Sequence, residues 1–252
     1  MNFPLLKQIF QQMWGLVVLE HRYGGRLPGP ADYRSPRQYS LPFRGAWTVV
    51  NGGVTKETSH SWDIPTQRYA YDFLILDEEG RSFQGDETDP AAFYCYGQDI
   101  LAPADGVVAE VLSGQPDSRI TKDRKASCQA RDLRGNHILL DHGQGEFSLL
   151  AHLQPDSILV TVGQQVRRGE ALARCGNSGN SSEPHLHFQL QQGASFTASP
   201  GLPIPFASLD VSPAPHYARF DDRMLAKNHP DPWPPYLQVG QRAANPAPEV
   251  GL

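Results

Sequence analysis

Short apolar segments separated by glycine-containing turns run through the middle of the chain, and this pattern limits the chain to folds built from many short strands. Residues 99–114 have the pattern of a strand, a turn and a second strand. Residues 135–153 contain two apolar runs around a glycine-containing turn, which predicts a hairpin. Because almost no helical pattern separates these segments, we predict an all-β fold with an antiparallel, β-sandwich-like core.

The two ends of the chain differ from this core. Residues 24–45 are rich in Gly, Pro and Arg and predict an irregular segment. Eleven of the 22 prolines fall within residues 200–252, so we expect neither a regular helix nor a regular sheet in this tail. We therefore divide the chain into an N-terminal extension (1–45), a core domain (46–197) and a proline-rich C-terminal extension (198–252). Within the first extension, apolar residues at helical spacing predict an amphipathic helix packed on the domain: Leu6, Ile9, Phe10, Met13, Trp14 and Val17.

Charge and composition exclude several classes of protein. The 252-residue chain has a formal net charge of −5, which gives no electrostatic support to nucleic-acid binding. We expect no transmembrane segment, because no apolar run approaches the ~20 residues that span a bilayer. The N-terminal stretch is not a convincing export signal, since no small-residue cleavage site follows it. Three scattered cysteines favour neither a disulfide scaffold nor a cysteine-ligated zinc. Their pairing and the oligomeric state stay open.

The segment "PHLHFQL" places two histidines one residue apart in an alternating apolar run. Successive side chains of a β-strand point to opposite faces. Leu186, Phe188 and Leu190 are therefore expected on one face, and His185 and His187 on the other. The pattern predicts a half-buried strand whose open face presents two imidazoles, as a metal site or an acid/base pair requires.

Three further residues are candidate partners for this histidine pair. Asp72 stands alone on the polar face of a strand predicted within residues 68–76. His60 lies upstream, in a turn-like stretch that leads to the same strand, and His152 ends the second strand of the hairpin. A catalytic zinc takes three protein ligands and keeps one position for water, so a pair of histidines alone is too small a set.

Four segments, in this order and at this spacing, strongly resemble the lysostaphin/LytM-type zinc metallopeptidases, which cleave the peptide bridges of peptidoglycan: "ILAPADGVVAEV", "GNHILLDHGQGEFSLLAHL", "VTVGQQVRRGEALARCGNSGNSS" and "PHLHFQL". The resemblance covers about residues 46–192 and implies one Zn²⁺ per chain. Carried over residue by residue, it implies that Asp72 and His187 bind the metal. It also implies that His152 and His185 act in catalysis.

The first zinc ligand departs from the family pattern. The compact pattern has a histidine four residues before the aspartate, where this chain has Arg68, and a protonated guanidinium cannot be a ligand. We predict that a looped connection brings His60 back to complete the metal set, with Asp63 as the alternative. Gln189 also replaces a glutamate common in the family, and we expect this change to be tolerated.

The resemblance implies a zinc-dependent endopeptidase that hydrolyses peptidoglycan cross-bridges or stem peptides, in the periplasm or outside the cell. A non-catalytic relative that binds cell-wall peptide or a partner hydrolase is the alternative. Segments 102–111 and 162–172 also resemble biotinyl and lipoyl carrier domains. Such domains need a modifiable lysine at a hairpin tip, and no lysine lies between Lys125 and Lys227, so the carrier interpretation is weak.

Overall fold

The computed structural model describes residues 3–123, 130–221 and 236–247, with side chains described from residue 10 onward. These ranges contain one α-helix, two short 3₁₀ turns and twelve β-strands. Their bounds are α1 (Phe3–Tyr23), β1 (Trp47–Asn51), β2 (Tyr71–Leu74), β3 (Asp99–Leu101), β4 (Gly106–Leu112), β5 (Asn136–Asp141), β6 (Glu146–Leu153), β7 (Gln165–Val166), β8 (Ala171–Arg174), β9 (Leu186–Gln192), β10 (Gly201–Leu202), β11 (Asp210–Pro213) and β12 (Gln241–Ala244).

The strands form one large and one small sheet, and every strand pair in the described residues is antiparallel. The large sheet has the order β11-β12-β1-β2-β9-β6-β5-β4-β7, with β10 paired to β9, and the small sheet is β3-β8. One buried apolar cluster includes side chains of both sheets, such as Phe73 and Phe188 from the large sheet and Ile100 and Leu172 from the small one. The predicted antiparallel β fold is confirmed, and the predicted hairpin is β5–β6.

Strand β9 separates its side chains as the alternation predicts. Leu186, Phe188 and Leu190 lie in the main core, and the residues between them point to the other face. That second face is covered rather than open, because Gln189 is fully buried and His187 is only 5% exposed. The loop before β2 covers it, and the Thr66 carbonyl accepts a hydrogen bond from the Gln189 amide. The expectation of a half-buried strand is therefore wrong: polar residues fill the second face because their hydrogen bonds are satisfied.

The C-terminal segment adds strands that the sequence did not predict. Strand β12 extends the large sheet by pairing with β1, β11 pairs with β12, and β10 pairs with β9. The described prolines of this segment are compatible with these strands because they lie outside them or, like Pro213, at a strand end, where a missing amide costs no ladder hydrogen bond. Residues 222–235 lie outside the described ranges. The domain boundary near residue 198 stays a prediction.

Helix α1 is present as predicted, but only a few of its described side chains contact the domain. Gly15 lies so close to the domain that a Cβ atom there would be 1.8 Å from the Thr197 carbonyl oxygen. Leu19 is buried, and the Tyr23 hydroxyl donates to the Gln192 side chain. Most of the predicted apolar stripe faces away from the domain, with Phe10, Met13, Trp14 and Val17 exposed. Among the described residues, no helix has both the length and the apolar character needed to cross a bilayer.

Candidate metal centre

Three adjacent strands bring the predicted site residues together. In the β2–β9 ladder Asp72 lies directly opposite His187, and in the β6–β9 ladder His187 lies opposite Ala151. His152 follows Ala151 near the end of β6, where a positive φ of 61° departs from regular strand geometry, and its side chain lies in the same region as His187. The ring centroids of His152 and His187 are 5.9 Å apart. The strand order β2-β9-β6 is thus what places these residues side by side.

The loop between β1 and β2 folds back and brings His60 to Asp72. The Ser59 hydroxyl donates to the Arg68 carbonyl at 2.7 Å, which closes the loop at its base. The Arg68 guanidinium lies 4.8 Å over the Trp62 ring and donates to the Trp62 carbonyl. With the loop closed, His60 Nε2 lies 3.1 Å from Asp72 Oδ2. Arg68 occupies the sequence position of the family's histidine, and here it supports the loop that presents His60.

His60, Asp72 and His187 form a three-donor group that fits a metal ion. Their donor atoms all lie within 4.8 Å of one another, with His187 Nδ1 2.9 Å from Asp72 Oδ1. Ligands at about 2.1 Å from a tetrahedral zinc are about 3.4 Å apart, so small side-chain movements would suffice. Two imidazoles and a carboxylate are a zinc-compatible set that leaves one position open. Asp63, the alternative first ligand, is exposed and lies outside the group.

The charge state of Asp72 suits a ligand. Burial raises the pKa of this carboxyl, but the neighbouring His60 and His185, together with the hydrogen bonds from His187 and His60, hold it well below its ordinary value. The Asn51 side-chain amide also lies 3.4 Å from Asp72 Oδ2. Asp72 is therefore an ionised oxygen donor at neutral pH, with no proton to lose when a cation binds.

A chain of amide hydrogen bonds behind His187 determines which of its nitrogens faces Asp72. The chain ends at the Gly193 carbonyl, which can only accept, so the Gln191 NH₂ group donates there at 2.8 Å. Gln191 Oε1 then accepts from the Gln189 NH₂ group at 2.6 Å. Gln189 Oε1 is left to accept from His187 Nε2–H at 2.9 Å. With Nε2 used in this way, Nδ1 is the nitrogen of His187 that faces Asp72 and the metal position, an orientation that the sequence did not predict.

His152 and His185 form a second pair beside the three-donor group, with ring centroids 4.6 Å apart. His152 Nδ1 lies 2.8 Å from the Ser178 carbonyl oxygen, and His185 Nδ1 lies 2.8 Å from the Glu183 carbonyl oxygen. Carbonyl oxygens only accept, so both Nδ1 atoms are donors and the Nε2 atoms remain for other partners. Burial, and then the neighbouring His185 and His187, lower the pKa of His152 well below its usual value, so its Nε2 is an unprotonated base at neutral pH.

Both groups line a single pocket of about 230 Å³. Five of its lining residues are site residues predicted from the sequence, and the structure brings them together around one pocket: His60, Asp72, His152, His185 and His187. The sequence had not identified the rest of the wall, since nothing in the local pattern marks a residue that reaches a pocket from a distant loop. These further residues are Gln67, Leu133, Arg134, Ala151, Asn180, Ser182 and Phe196.

Arg134 forms one wall of the pocket together with Phe196. Its guanidinium lies 5.3 Å over the Phe196 ring. It also pairs with Asp132 at 2.8 Å and with Glu110 at 3.1 Å. Because two carboxylates already neutralise it, Arg134 contributes a firm, partly buried surface more than a free positive charge. The sequence showed only a charged excursion over residues 115–134.

Two glycines allow the loop that anchors His152 to approach closely. Gly179 has a positive φ of 85°, and a Cβ atom there would lie 2.3 Å from the backbone nitrogen of Gly135. Gly135 likewise has a φ of 63° and packs against the backbone of Ser178. This close approach holds the Ser178 carbonyl where His152 Nδ1 donates to it. Gly135 and Gly179 therefore support the site through this loop.

Fold and donor set together define a class: an antiparallel β protein with a His–Asp–His group suited to zinc. Residues 91–198 match the model of peptidase family M23, so this part of the chain carries a domain of that family, as the resemblance predicted. The match contains His152, His185 and His187 but begins after His60 and Asp72. The assignment of these two residues to the metal group therefore rests on the geometry described above.

The curated proteins that are similar to this chain include one named as an endopeptidase and one named as a hydrolase activator. The chain is 39% identical over 56 residues to the peptidoglycan DD-endopeptidase ShyA of Vibrio cholerae, covering 22% of this chain and 13% of that protein. It is 39% identical over 66 residues to the murein hydrolase activator EnvC of Escherichia coli, covering 26% and 15%. Among solved structures, the catalytic domain of lysostaphin from Staphylococcus simulans is similar, at 18% identity and a TM-score of 0.36, covering 63% of this chain and 88% of that one. The chain thus spans less than a sixth of the length of the two curated relatives.

Proposed function

We propose that this chain is a zinc-dependent endopeptidase that hydrolyses peptide bonds in the cross-bridges or stem peptides of peptidoglycan. The observation that supports this most strongly is the single pocket lined by both the three-donor group and the His152–His185 pair. A metal group alone would serve structure or binding. A metal group with two adjacent imidazoles, each with one nitrogen anchored to the backbone, is suited to hydrolysis.

Within this proposal His60, Asp72 and His187 hold the metal, and His152 and His185 handle protons and charge. When bound, zinc lowers the pKa of water and polarises a carbonyl group. His152 Nε2, unprotonated at neutral pH, is suited to take a proton in the reaction. An imidazole N–H facing the pocket is suited to stabilise negative charge that develops on the carbonyl oxygen. We leave the division of these two roles between His152 and His185 open.

The proposed substrate follows from the family and from the named relatives. One of them is named a peptidoglycan DD-endopeptidase. Such a substrate places the protein where peptidoglycan lies, in the periplasm or outside the cell. Which bond is cut, a glycine bridge or a stem-peptide link, depends on the walls of the pocket and is part of the test.

A second candidate function is a binding module that recruits cell-wall peptide or a hydrolase without cutting. The similarity to murein hydrolase activators supports this alternative, since parts of this chain are similar to parts of two proteins with that name. The complete set of donors and histidines in the present pocket favours the enzyme. An activator has no need for His152 and His185 beside a metal group.

Digestion of purified peptidoglycan, followed by mass spectrometry of released fragments, separates the two functions. The zinc-loaded protein is expected to generate new amine termini, and a sample treated with a chelator to generate none. His152→Ala is the matched control, because it leaves all three metal donors in place. If zinc-loaded protein binds wall material from several bacteria and releases no new termini, the binding module replaces the enzyme.

A further inference from the structure

Two of the three cysteines lie together in the main core. Cys95 and Cys175 are 1% and 0% exposed and belong to the same buried cluster. The backbone holds the pair in place on both sides. The Gly97 amide donates to the Cys175 carbonyl at 2.8 Å, and the Cys175 amide donates to the Gln98 carbonyl at 2.8 Å. Both thiols are free in this structure.

The cysteine pair joins two segments that support the metal centre. Cys95 lies in the segment between β2 and β3, which contains no strand of its own. This segment is attached to the approach to β9 at two points. The Ser82 hydroxyl donates to the Glu183 carboxylate at 2.9 Å, and the Cys95 thiol donates to the Pro184 carbonyl at 3.0 Å. Cys175 lies on the other side, directly after β8.

We propose that Cys95 and Cys175 are a disulfide-forming pair that closes when the chain folds in the presence of a disulfide oxidant. One thiolate attacks a sulfur of the oxidant, for example glutathione disulfide, and displaces one glutathione thiolate. The second cysteine thiolate then attacks the protein-bound sulfur of this mixed disulfide and displaces the second glutathione. Two protein thiols lose two electrons and two protons in total, and the oxidant is reduced to two thiols.

The bond forms during folding and not afterwards, because the folded protein hides both sulfurs. Burial, and then the neighbouring Cys95, raises the pKa of the Cys175 thiol, so this thiol is protonated at neutral pH. A buried, protonated thiol reacts slowly with external disulfides. The same burial protects the completed bond from reducing agents. The redox state of the pair therefore records the compartment in which the chain folded.

A Cys95–Cys175 bond would stabilise the fold by closing a long loop in the unfolded chain. The two cysteines are 80 residues apart (175 − 95 = 80), so the loss of unfolded-state entropy is large. The Pro184 carbonyl would lose its bond from the Cys95 thiol, which reduces the gain. We expect the oxidised protein to melt roughly 5–15 °C above the reduced one.

The test starts with Cys128→Ser, which removes the third cysteine and leaves the pair as the only two thiols. The variant is unfolded, reduced and refolded in a glutathione redox buffer. Free thiols are then blocked, and the protein is digested without reduction. The proposal predicts a peptide linking Cys95 to Cys175 and an intact mass about 2 Da lower than that of the reduced protein. Recovery of both cysteines in the blocked form would overturn it.

Melting curves provide the second measurement, with Cys95→Ser in the same background as the matched control. Oxidation is expected to raise the melting temperature of Cys128→Ser and to leave that of the control unchanged. Peptide mapping needs no substitution in the core, so it remains decisive if the control does not fold. In the unsubstituted chain the Cys95–Cys175 peptide must also predominate; links from Cys128 to either cysteine in its place would overturn the assignment.

Discussion

The hairpin β5–β6 contains buried histidines of two kinds, and comparing them shows what distinguishes the proposed catalytic region. His142, in the turn, is 3% exposed and His152, at the end of β6, is 7% exposed. Burial lowers the pKa of both. Neither burial nor a lowered pKa therefore distinguishes a structural histidine from a catalytic one in this protein.

Hydrogen bonding does distinguish them. His142 Nδ1 donates to the Asp105 carbonyl, and its Nε2 pairs with the Ser148 hydroxyl, so the fold uses both nitrogens. The fold uses only the Nδ1 of His152, through the Ser178 carbonyl. Its second nitrogen belongs to a pocket shared with other imidazoles. A histidine with one nitrogen held and the other directed at a pocket is the arrangement that catalysis requires.

The largest expected effect is on zinc content. His187→Ala removes a donor from the three-donor group, so the purified variant is expected to lose stoichiometric zinc, as measured by elemental mass spectrometry. His142→Ala, at the equally buried histidine, is expected to keep one zinc per chain. His185→Ala is also expected to keep it, because His185 is assigned to chemistry. Equal loss of zinc in His185→Ala and His187→Ala would show that the proposed division of the pair is wrong.

The second effect is on turnover. His152→Ala is expected to reduce peptide release from peptidoglycan by about 10²–10⁴-fold, the usual cost of removing a positioned general base. Its zinc content and far-ultraviolet circular dichroism should match those of the unsubstituted protein. His142→Ala is expected to change stability more than rate. Full turnover in His152→Ala would show that His152 is not catalytic and that its role does not differ from that of His142.

A smaller effect concerns the support of His187. Gln189→Leu removes the acceptor for His187 Nε2–H, and we expect zinc affinity to fall by about 10–100-fold, as measured by competition with a chelator. Gln189→Glu keeps an acceptor for that hydrogen and is expected to lose less. If the two variants weaken zinc equally, the amide chain fills space and does not orient His187.

The smallest effect is a change in the pH dependence of stability at the structural histidine. Burial lowers the folded-state pKa of His142 below the value of 6.5, so protonation favours the unfolded chain. The stability that His142 contributes is present above pH 6.5 and is lost as the pH falls through the folded-state pKa. Urea unfolding of His142→Gln at several pH values should show a flatter acid slope than the unsubstituted protein. An unchanged slope would mean that His142 does not titrate on unfolding.

The sequence predicted those parts of the molecule that depend on local pattern. Alternation in "PHLHFQL" gave the correct faces of β9, because a strand has a period of two. It could not predict how loops cover a face, so the burial of Gln189 and its contact with His187 were missed. Strand β12 was missed because its pairing with β1 is non-local, and a four-residue strand has little periodicity to read.

Prediction of the metal group had the same limit. Asp72 and His187 followed from resemblance, and their pairing in the β2–β9 ladder brings them together. The placement of His60 depends on loop closure by Ser59 and Arg68, since twelve residues separate it from Asp72. Such closure depends on tertiary contacts, which a periodic pattern in the sequence does not predict. The resemblance supplied the candidate residue, and the structure supplied the fold of the loop.

Anomalous X-ray scattering at the zinc absorption edge, from crystals of the zinc-loaded protein, tests the proposed centre most directly. It is expected to give one strong peak per chain, within bonding distance of His60 Nε2, the Asp72 carboxylate and His187 Nδ1, with His152 and His185 beside it and not bound. A peak ligated by His152 and His185, or an absence of any peak among His60, Asp72 and His187, would contradict it.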